Sequence, residues 1–372
     1  MINVIYGAGI YGEIFCKEIE VSGRKIDLFI DQYTNKKTLY GKKVKRLEEV
    51  PLDNANIFIS ITSHPKVEVE LINTLKKLGV ENIYSFIEVL QLFPGLIKKC
   101  VVFTKAWYAS NKDEMLDYKK LQGVRELLND EKSKLLLDNI ISFREKLTPN
   151  VYPTPDLESQ YFPEDIDLFK KIGKIRFVDG GAFVGDTVSE SILEFKKLNK
   201  QIDYIVSFEP DRVNIDKLSQ EIANQKKCNS AIDFFIYPCG LWSSNEVLKF
   251  SNNNGPSSSI VNKIGESSIS IMTVALDKTL VGAAPNYIKM DIEGAEKEAI
   301  LGAKEIIAEN SPTLAICLYH KPQDIWELPL LINSINPNYD MYIRLYGSMG
   351  LELVLYCVAK DTNISKEERG QG

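Results

Sequence analysis

The chain has 372 residues, 44% of them hydrophobic and 26% charged, which is ordinary globular composition with length for two sizeable cores. A formal net charge of −6 argues against a nucleic-acid polymer as partner, because such a partner asks for a basic face. No apolar run approaches the roughly 20 residues that cross a bilayer, so membrane insertion is not expected either.

Residues 1–90 alternate strand and helix signals. INVIYGAG reads as a strand and turn, so an apolar strand rather than a signal peptide stands at the start. IYGEIFCKEIEVSG follows as a helix ending at Gly23, then KIDLFID and ANIFISITS as strands, PKVEVELINTLKKLG as a helix and NIYSF as a short strand. The pattern predicts a small parallel α/β unit. GAGIYG at 7–12 is a Gly-x-Gly-x-x-Gly turn between strand and helix, and Asp31 ends the second strand. Gly7, Gly9, Gly12 and Asp31 therefore form a candidate dinucleotide or nucleotide-sugar site, although such glycines also serve helix–strand packing alone. The turn resembles the small N-terminal domain of sugar acyltransferases that modify nucleotide-activated amino sugars, where it meets a uridine nucleotide. His64, in Ser63-His64-Pro65, either touches a ligand on the same edge or is a turn residue before proline.

Residues 91–150 are rich in Leu, Lys and Glu, with helical periods in KKLQGVRELL and EKSKLLLDNIISFREKL. They predict a helical connector that caps one domain or pairs with another subunit. Pro149, Pro153 and Pro155 make the next stretch a loop. A second α/β unit is expected over 151–360, with strands IRFVD, DYIVSFE, DFFIYPC, NYIKMD and TLAICLY, then a hairpin of MYIRLY and ELVLYCVA about GSMGL. The fold class is thus α/β, two Rossmann-like doubly wound units joined by helices, with a disordered polar tail over 361–372.

The strand ends of the second unit carry the chemistry. IRFVD ends in Asp179 before Gly180-Gly181, and IVSFEP ends in Glu209. YIKMDIEGAE ends in Asp291 and Glu293, and LAICLYH in His320. In open α/β sheets such ends face one crevice. A carboxylate at Glu209 can accept from both hydroxyls of a ribose. The turn lacks pyrophosphate spacing and carries acids at both ends, Asp179 and Asp186, so a cationic or hydroxyl-rich ligand suits it better than a phosphate. Asp291, Glu293 and His320 lack tight metal-ligand spacing, and no metal is expected.

VDGGAFVGDT, SFEPD, GLWS, IKMDIEGAE and LYHKPQDIWELP, in this order over about residues 158–358, resemble the FkbM-type methyltransferases. The resemblance implies a class I methyltransferase fold and an O-methyltransferase dependent on S-adenosylmethionine. It implies cofactor roles for Asp179, Gly180 and Gly181 under the methionine, Glu209 at the ribose, and Cys239, Gly240 and Leu241 bordering the adenine. Asp291 and Tyr161 complete the expected lining, with Tyr161 or Phe162 lying over the cofactor. His320 is the expected general base, with Asp291 as rival. DIWELP is expected as a substrate lid. Arg344 is expected to pair with an anionic group on the acceptor or with Glu352.

The function these features imply is methyl transfer to a hydroxyl of a sugar or sugar-linked metabolite, in surface-glycan or secondary-metabolite biosynthesis. The acceptor is a small molecule such as a nucleotide-sugar, and a homo-oligomer is possible. A nucleotide-sugar or NAD-binding oxidoreductase or sensor built on GAGIYG is the alternative, and a non-catalytic partner subunit a third. Cysteines at 16, 100, 228, 239, 317 and 357, with no Cys-x-x-Cys, suggest free thiols in a reducing cytoplasm.

Overall fold

The computed structural model describes residues 1–61, 65–104, 106–251 and 268–360. Ser63, His64 and the tail 361–372 therefore lie outside the described residues. The N-terminal unit comprises β1 (Ile2–Tyr6), α1 (Ile10–Val21), β2 (Leu28–Ile30), β3 (Thr38–Leu39), β4 (Lys42–Lys45), β5 (Ala55–Ile59), α2 (Pro65–Lys77) and β6 (Asn82–Tyr84). Its sheet runs β3-β4-β2-β1-β5-β6, parallel except for the β3–β4 pair. Val4, Ile5, Ile57, Phe58 and Ile59 in the central strands are fully buried, as expected of a parallel sheet covered on both faces. The β3–β4 hairpin has no counterpart in the predicted elements. KKTLYGKKVKR is too charged to show an apolar period, and Tyr40 and Gly41, at φ 50° and 71°, turn it back on the sheet edge. Lysines on such an edge discourage pairing with another chain.

A helical stretch follows: α3 (Phe86–Leu92), α4 (Gly95–Thr104), α5 (Lys112–Met115), α6 (Tyr118–Leu127) and α7 (Glu131–Lys146). Ser85 and Glu88 form a capping box that starts α3, and the Asp130 carboxylate accepts from the Ser133 N–H to cap α7. The C-terminal unit then runs β7 (Lys174–Gly180), α8 (Asp186–Lys197), β8 (Gln201–Phe208), α9 (Arg212–Cys228), β9 (Asp233–Tyr237), β10 (Gly240–Leu241), β11 (Glu246–Ser251) and β12 (Ser268–Val274). It continues through α10 (Leu276–Thr279), β13 (Tyr287–Met290), α11 (Glu296–Leu301), α12 (Lys304–Asn310), β14 (Thr313–Cys317), α13 (Asp324–Ile335), β15 (Tyr339–Leu345) and β16 (Leu353–Ala359).

Seven strands form its sheet in the order β15-β16-β14-β13-β7-β8-β9, and β16 alone runs antiparallel to its neighbours. The chain begins at the centre with β7, winds outward to β9, then returns to β13 and winds the other way. The switch lies between β7 and β13, whose carboxyl ends open on the crevice where ligands of doubly wound sheets bind. A second small sheet, β10-β12-β11, follows β9 and was not foreseen. One aromatic core, Phe162, Phe169, Phe177, Phe195 and Tyr287, fills one face of the large sheet. On the other face a continuous cluster runs from α1 through the connecting helices to β13, β14 and α13. The helical stretch is riveted to the C-terminal unit: the Trp107 indole donates to the Met349 carbonyl at 2.8 Å. All six cysteines are free. Among the described residues no helix is long and apolar enough to cross a membrane.

Candidate active site

The parallel strands β7, β8, β13 and β14 deliver Asp179, Glu209, Asp291 and His320 to the same end of the sheet. Asp179 is fully buried and faces the Lys289 ammonium of β13, 3.0 Å away. That ammonium also donates to the carbonyls of Gly180 at 3.2 Å and Gly181 at 2.8 Å. Burial alone would lower the lysine's pKa, but Asp179 and Asp291 more than reverse this and raise it. Asp179 thus braces the glycine turn from beneath through Lys289, and its carboxylate presents no exposed surface to a ligand. The turn needs its glycines. A Cβ on Gly181, at φ +76°, would stand 1.9 Å from the Asp291 carbonyl oxygen, and one on Gly180 2.7 Å from a Leu241 methyl. Leu241 and Cys239 are buried, so at 239–241 the side chains pack inward behind the turn.

Glu209, at the end of β8, reaches across to the same turn. Its Oε2 accepts from the Phe183 N–H at 2.9 Å, and its Oε1 accepts from the Asp211 N–H at 2.8 Å. Burial pushes its pKa up against these hydrogen bonds. Asn214 Nδ2 also donates to Oε1 at 3.4 Å, so of the roughly four lone-pair sites of this largely buried carboxylate about one is left for a ligand.

Around His320 lies a ring of acids. Its Nδ1 is 2.9 Å from Glu296 Oε1, and its Nε2 is 3.3 Å from Asp291 Oδ1 and 3.7 Å from Glu293 Oε2, off the linear geometry of full hydrogen bonds. Burial alone would lower the imidazole's pKa; Glu296 and Asp291 raise it well above its ordinary value. Asp291 accepts from the hydroxyls of Tyr161 at 2.9 Å and Tyr319 at 3.1 Å. Although burial opposes it, His320 and then Lys289 and Tyr161 hold the Asp291 carboxyl well below the usual range. Both groups therefore carry full charge near neutrality, the imidazolium without a free lone pair and the carboxylate as a weak base. This disfavours the general-base role expected of either. Among the described residues no group of three or more His, Cys, Asp and Glu side chains has metal-holding geometry.

Other expected positions fall elsewhere. Tyr161 is buried beside Asp291 and Lys289, and Phe162 belongs to the aromatic core rather than to a cofactor face. DIWELP is no lid: it opens α13, where Ile325, Trp326 and Leu328 are buried against neighbouring helices. Arg344 meets neither an open acceptor site nor Glu352. It is 1% exposed and donates to Asp165, Asp130 and Ser133, tying α7 to β15. Glu352 instead accepts from Gln160 Nε2 at 2.6 Å, with burial pushing its pKa up to about 7. Lys289, Glu296 and Tyr319 were not anticipated, and Glu352 only as a partner of Arg344. Only Lys289 leaves a trace in the sequence, as a lone cation inside a strand whose every residue is buried.

In the N-terminal unit, Asp31 accepts from the N–H groups of Ala8, Tyr33 and Thr34, bracing the turn from within. A Cβ on Gly12 would stand 2.1 Å from the Gly7 carbonyl oxygen, and one on Gly7 2.7 Å from Ser60 Oγ, whereas Gly9 has open space around it. Close packing accounts for Gly7, Gly12 and Asp31. A cavity of about 690 Å³, lined in part by Lys170, Arg176, Asn286 and Asp340, opens at the amino ends of the large sheet, away from the acid ring.

Residues 179–347 match the family model described as the methyltransferase FkbM domain, and they span β7 to β15 with Asp179, Glu209, Asp291 and His320. The chain carries an FkbM-type methyltransferase domain. It is also similar to the crystal structure of methyltransferase FkbM from Methylobacillus flagellatus KT, with a TM-score of 0.59 and 20% identity over 95% of this chain and 89% of that one. At this identity the likeness is one of fold, and it extends through the N-terminal unit. No curated protein matches the chain in sequence. Within the methyltransferase domain, the glycine turn, Glu209 and the acid ring therefore lie on one edge of a sheet whose fold matches that of a methyltransferase.

Proposed function

We propose that the protein is a cytoplasmic S-adenosylmethionine-dependent O-methyltransferase that modifies a hydroxyl of a sugar or sugar-linked metabolite. The observation that carries the reading is the Glu209 carboxylate, fixed by the Phe183 and Asp211 N–H groups over the Gly180-Gly181 turn at the β7–β13 switch. Its remaining lone pair suits one hydroxyl of a ribose, with a second in reach if the long 3.4 Å bond from Asn214 gives way, and the side-chain-free turn suits close approach of the methionine part. When bound, the cofactor supplies an electrophilic methyl on a cationic sulfonium. The acid ring of Asp291, Glu293 and Glu296 is matched in charge to that cation. Holding an acceptor oxygen in line with the methyl accounts for a large part of the rate, with effective molarities of roughly 10⁵–10⁸ M in well-oriented systems.

Titration calorimetry with S-adenosylmethionine and S-adenosylhomocysteine tests the reading. Both bind the wild-type protein, and Glu209→Ala weakens each by about 10- to 100-fold, the worth of hydrogen bonds to a charged group. Failure of the wild-type protein to bind either compound refutes it. Mass spectrometry of products after incubation with a pool of sugar nucleotides identifies the acceptor.

A further inference from the structure

Building on the methyl-transfer reading, we propose that the Glu293 carboxylate takes the proton of the attacking hydroxyl, and that His320 stands beside it as a fixed imidazolium. A neutral imidazole offers one N–H and one lone pair. His320 has a carboxylate oxygen at each nitrogen, Glu296 at 2.9 Å and Asp291 at 3.3 Å, and only 7% of its side chain is exposed. Carboxyl oxygens this close to each nitrogen draw the imidazole's pKa well above its ordinary value against burial, so the ring holds a proton on both nitrogens and none is left to act as a base. Asp291 is committed to Tyr161, Tyr319 and the imidazolium, so protonating it would disrupt three contacts. Glu296 is wholly buried and accepts from the Ile292 N–H, and Glu352 is held by Gln160.

Glu293 differs from all of these. Its side chain is 38% exposed, against 24% for Asp291 and 0% for Glu296. It stands on the turn just past the carboxyl end of β13, in a left-handed backbone conformation at φ 56° that it shares with Glu352 alone of these acids and that a residue with a side chain adopts only at some cost. Strain of this kind, over-determined by its surroundings, is a frequent companion of functional geometry. The groups facing it are His320 after β14, Asp291 and Glu296 on either side along the chain, Glu352 before β16, and Lys321, whose ammonium binds the Gly294 carbonyl. Burial pushes the Glu293 carboxyl up to about 7; His320 opposes the rise, and Asp291, Glu296 and Glu352 add to it. A base poised there serves neutral pH well.

The proton balance is simple. Glu293 takes the hydroxyl proton as the oxygen–carbon bond forms and the sulfur–carbon bond breaks, then releases it to water; a neutral thioether leaves, and nothing is oxidised or reduced. Activity rises with pH as Glu293 ionises.

The chain has two histidines, so ¹⁵N-histidine labelling with His64→Gln for assignment isolates His320 in the NMR spectrum. In protein saturated with S-adenosylhomocysteine, His320 is expected to stay doubly protonated across roughly pH 6–8. With ¹³C-carboxyl glutamate, the resonance lost in Glu293→Gln should titrate near pH 7 and move upward in His320→Gln, where the opposing cation is gone. A neutral His320 at pH 7, or a Glu293 ionised throughout roughly pH 5.5–8, overturns the assignment. These readings need no acceptor. With UDP-glucose and UDP-N-acetylglucosamine as acceptor probes, Glu293→Gln should lower kcat by about 10²–10⁴-fold at unchanged affinity for S-adenosylhomocysteine, which lacks the sulfonium charge, with partial recovery in Glu293→Asp. Wild-type turnover in Glu293→Gln counts equally against it. Absence of cofactor binding by the wild-type protein would instead strike the methyl-transfer reading, and the NMR titration of the free protein would still report on Glu293 and His320.

Discussion

Replacing Lys289 with methionine should damage the methyltransferase domain more than any surface change. The lysine is 2% exposed and its partner Asp179 is 0% exposed, with 3.0 Å between ammonium and carboxylate. The same ammonium pins the carbonyls of Gly180 and Gly181. Methionine keeps the apolar stem but strands a buried carboxylate and takes the donor from the Gly181 carbonyl, while the Gly180 carbonyl keeps the Asp291 N–H. Breaking one side of a buried pair costs about 3–5 kcal/mol, whereas replacing both sides with apolar residues is often near neutral. At about 2–4 °C per kcal/mol for a domain of 150–250 residues, the single variant should melt roughly 6–20 °C lower. Asp179→Leu added to Lys289→Met should recover much of that loss. Because the folded lysine's pKa is raised, its contribution is complete below about pH 10 and lost as pH rises through the folded value. The deficit should therefore shrink in alkali, and also in acid, where the stranded Asp179 carboxyl, pushed up by burial and now without its cation, takes a proton. Scanning calorimetry of the two single variants and the double variant closes the cycle. A Lys289→Met cost below about 1 kcal/mol, or a double variant worse than the sum of the singles, refutes the coupling.

Gly181→Ala should abolish binding of S-adenosylhomocysteine in calorimetry while leaving most of the fold intact, because its Cβ would meet the Asp291 carbonyl at 1.9 Å and force the turn to move; full affinity would show that the turn does not shape the site. Arg344→Met should move acid unfolding to higher pH. Although burial opposes it, Arg344 holds the carboxyls of Asp130 and Asp165 below their ordinary 3.8. Their stabilisation is present above that value and lost as pH falls through the lower folded pKa; without the arginine it is absent already at neutral pH, so the variant starts less stable and reaches its acid midpoint at higher pH, and an unchanged midpoint by circular dichroism would refute this.

The large sheet was legible because β7, β13 and β14 are buried on both faces and read as apolar runs ending in Asp179, Asp291 or His320. The β15–β16 hairpin declared itself through two β-rich runs about a glycine turn. Strands β3 and β4 escaped notice because an edge hairpin needs no apolar face, and β10 because a two-residue strand has no period to detect. Chemistry was legible only to the level of which residues reach the crevice. That His320 ends a strand can be read from LAICLYH. That it is charged depends on Glu296 and Asp291, which approach it only because β13 and β14 are neighbours in the sheet. Arg344 makes the same point within one hairpin. Register pairs it with Val354, and Glu352 sits beyond the strand end at φ 55°, turned to Gln160, so the guanidinium finds its carboxylates on α7's cap and the segment before β7. A strand end fixes where a titratable group stands, but its proton affinity is set by charges from other elements. The proton acceptor is therefore to be sought among the acids left partly open after folding, and of the three carboxylates within ion-pair range of His320, Glu293 is the most exposed.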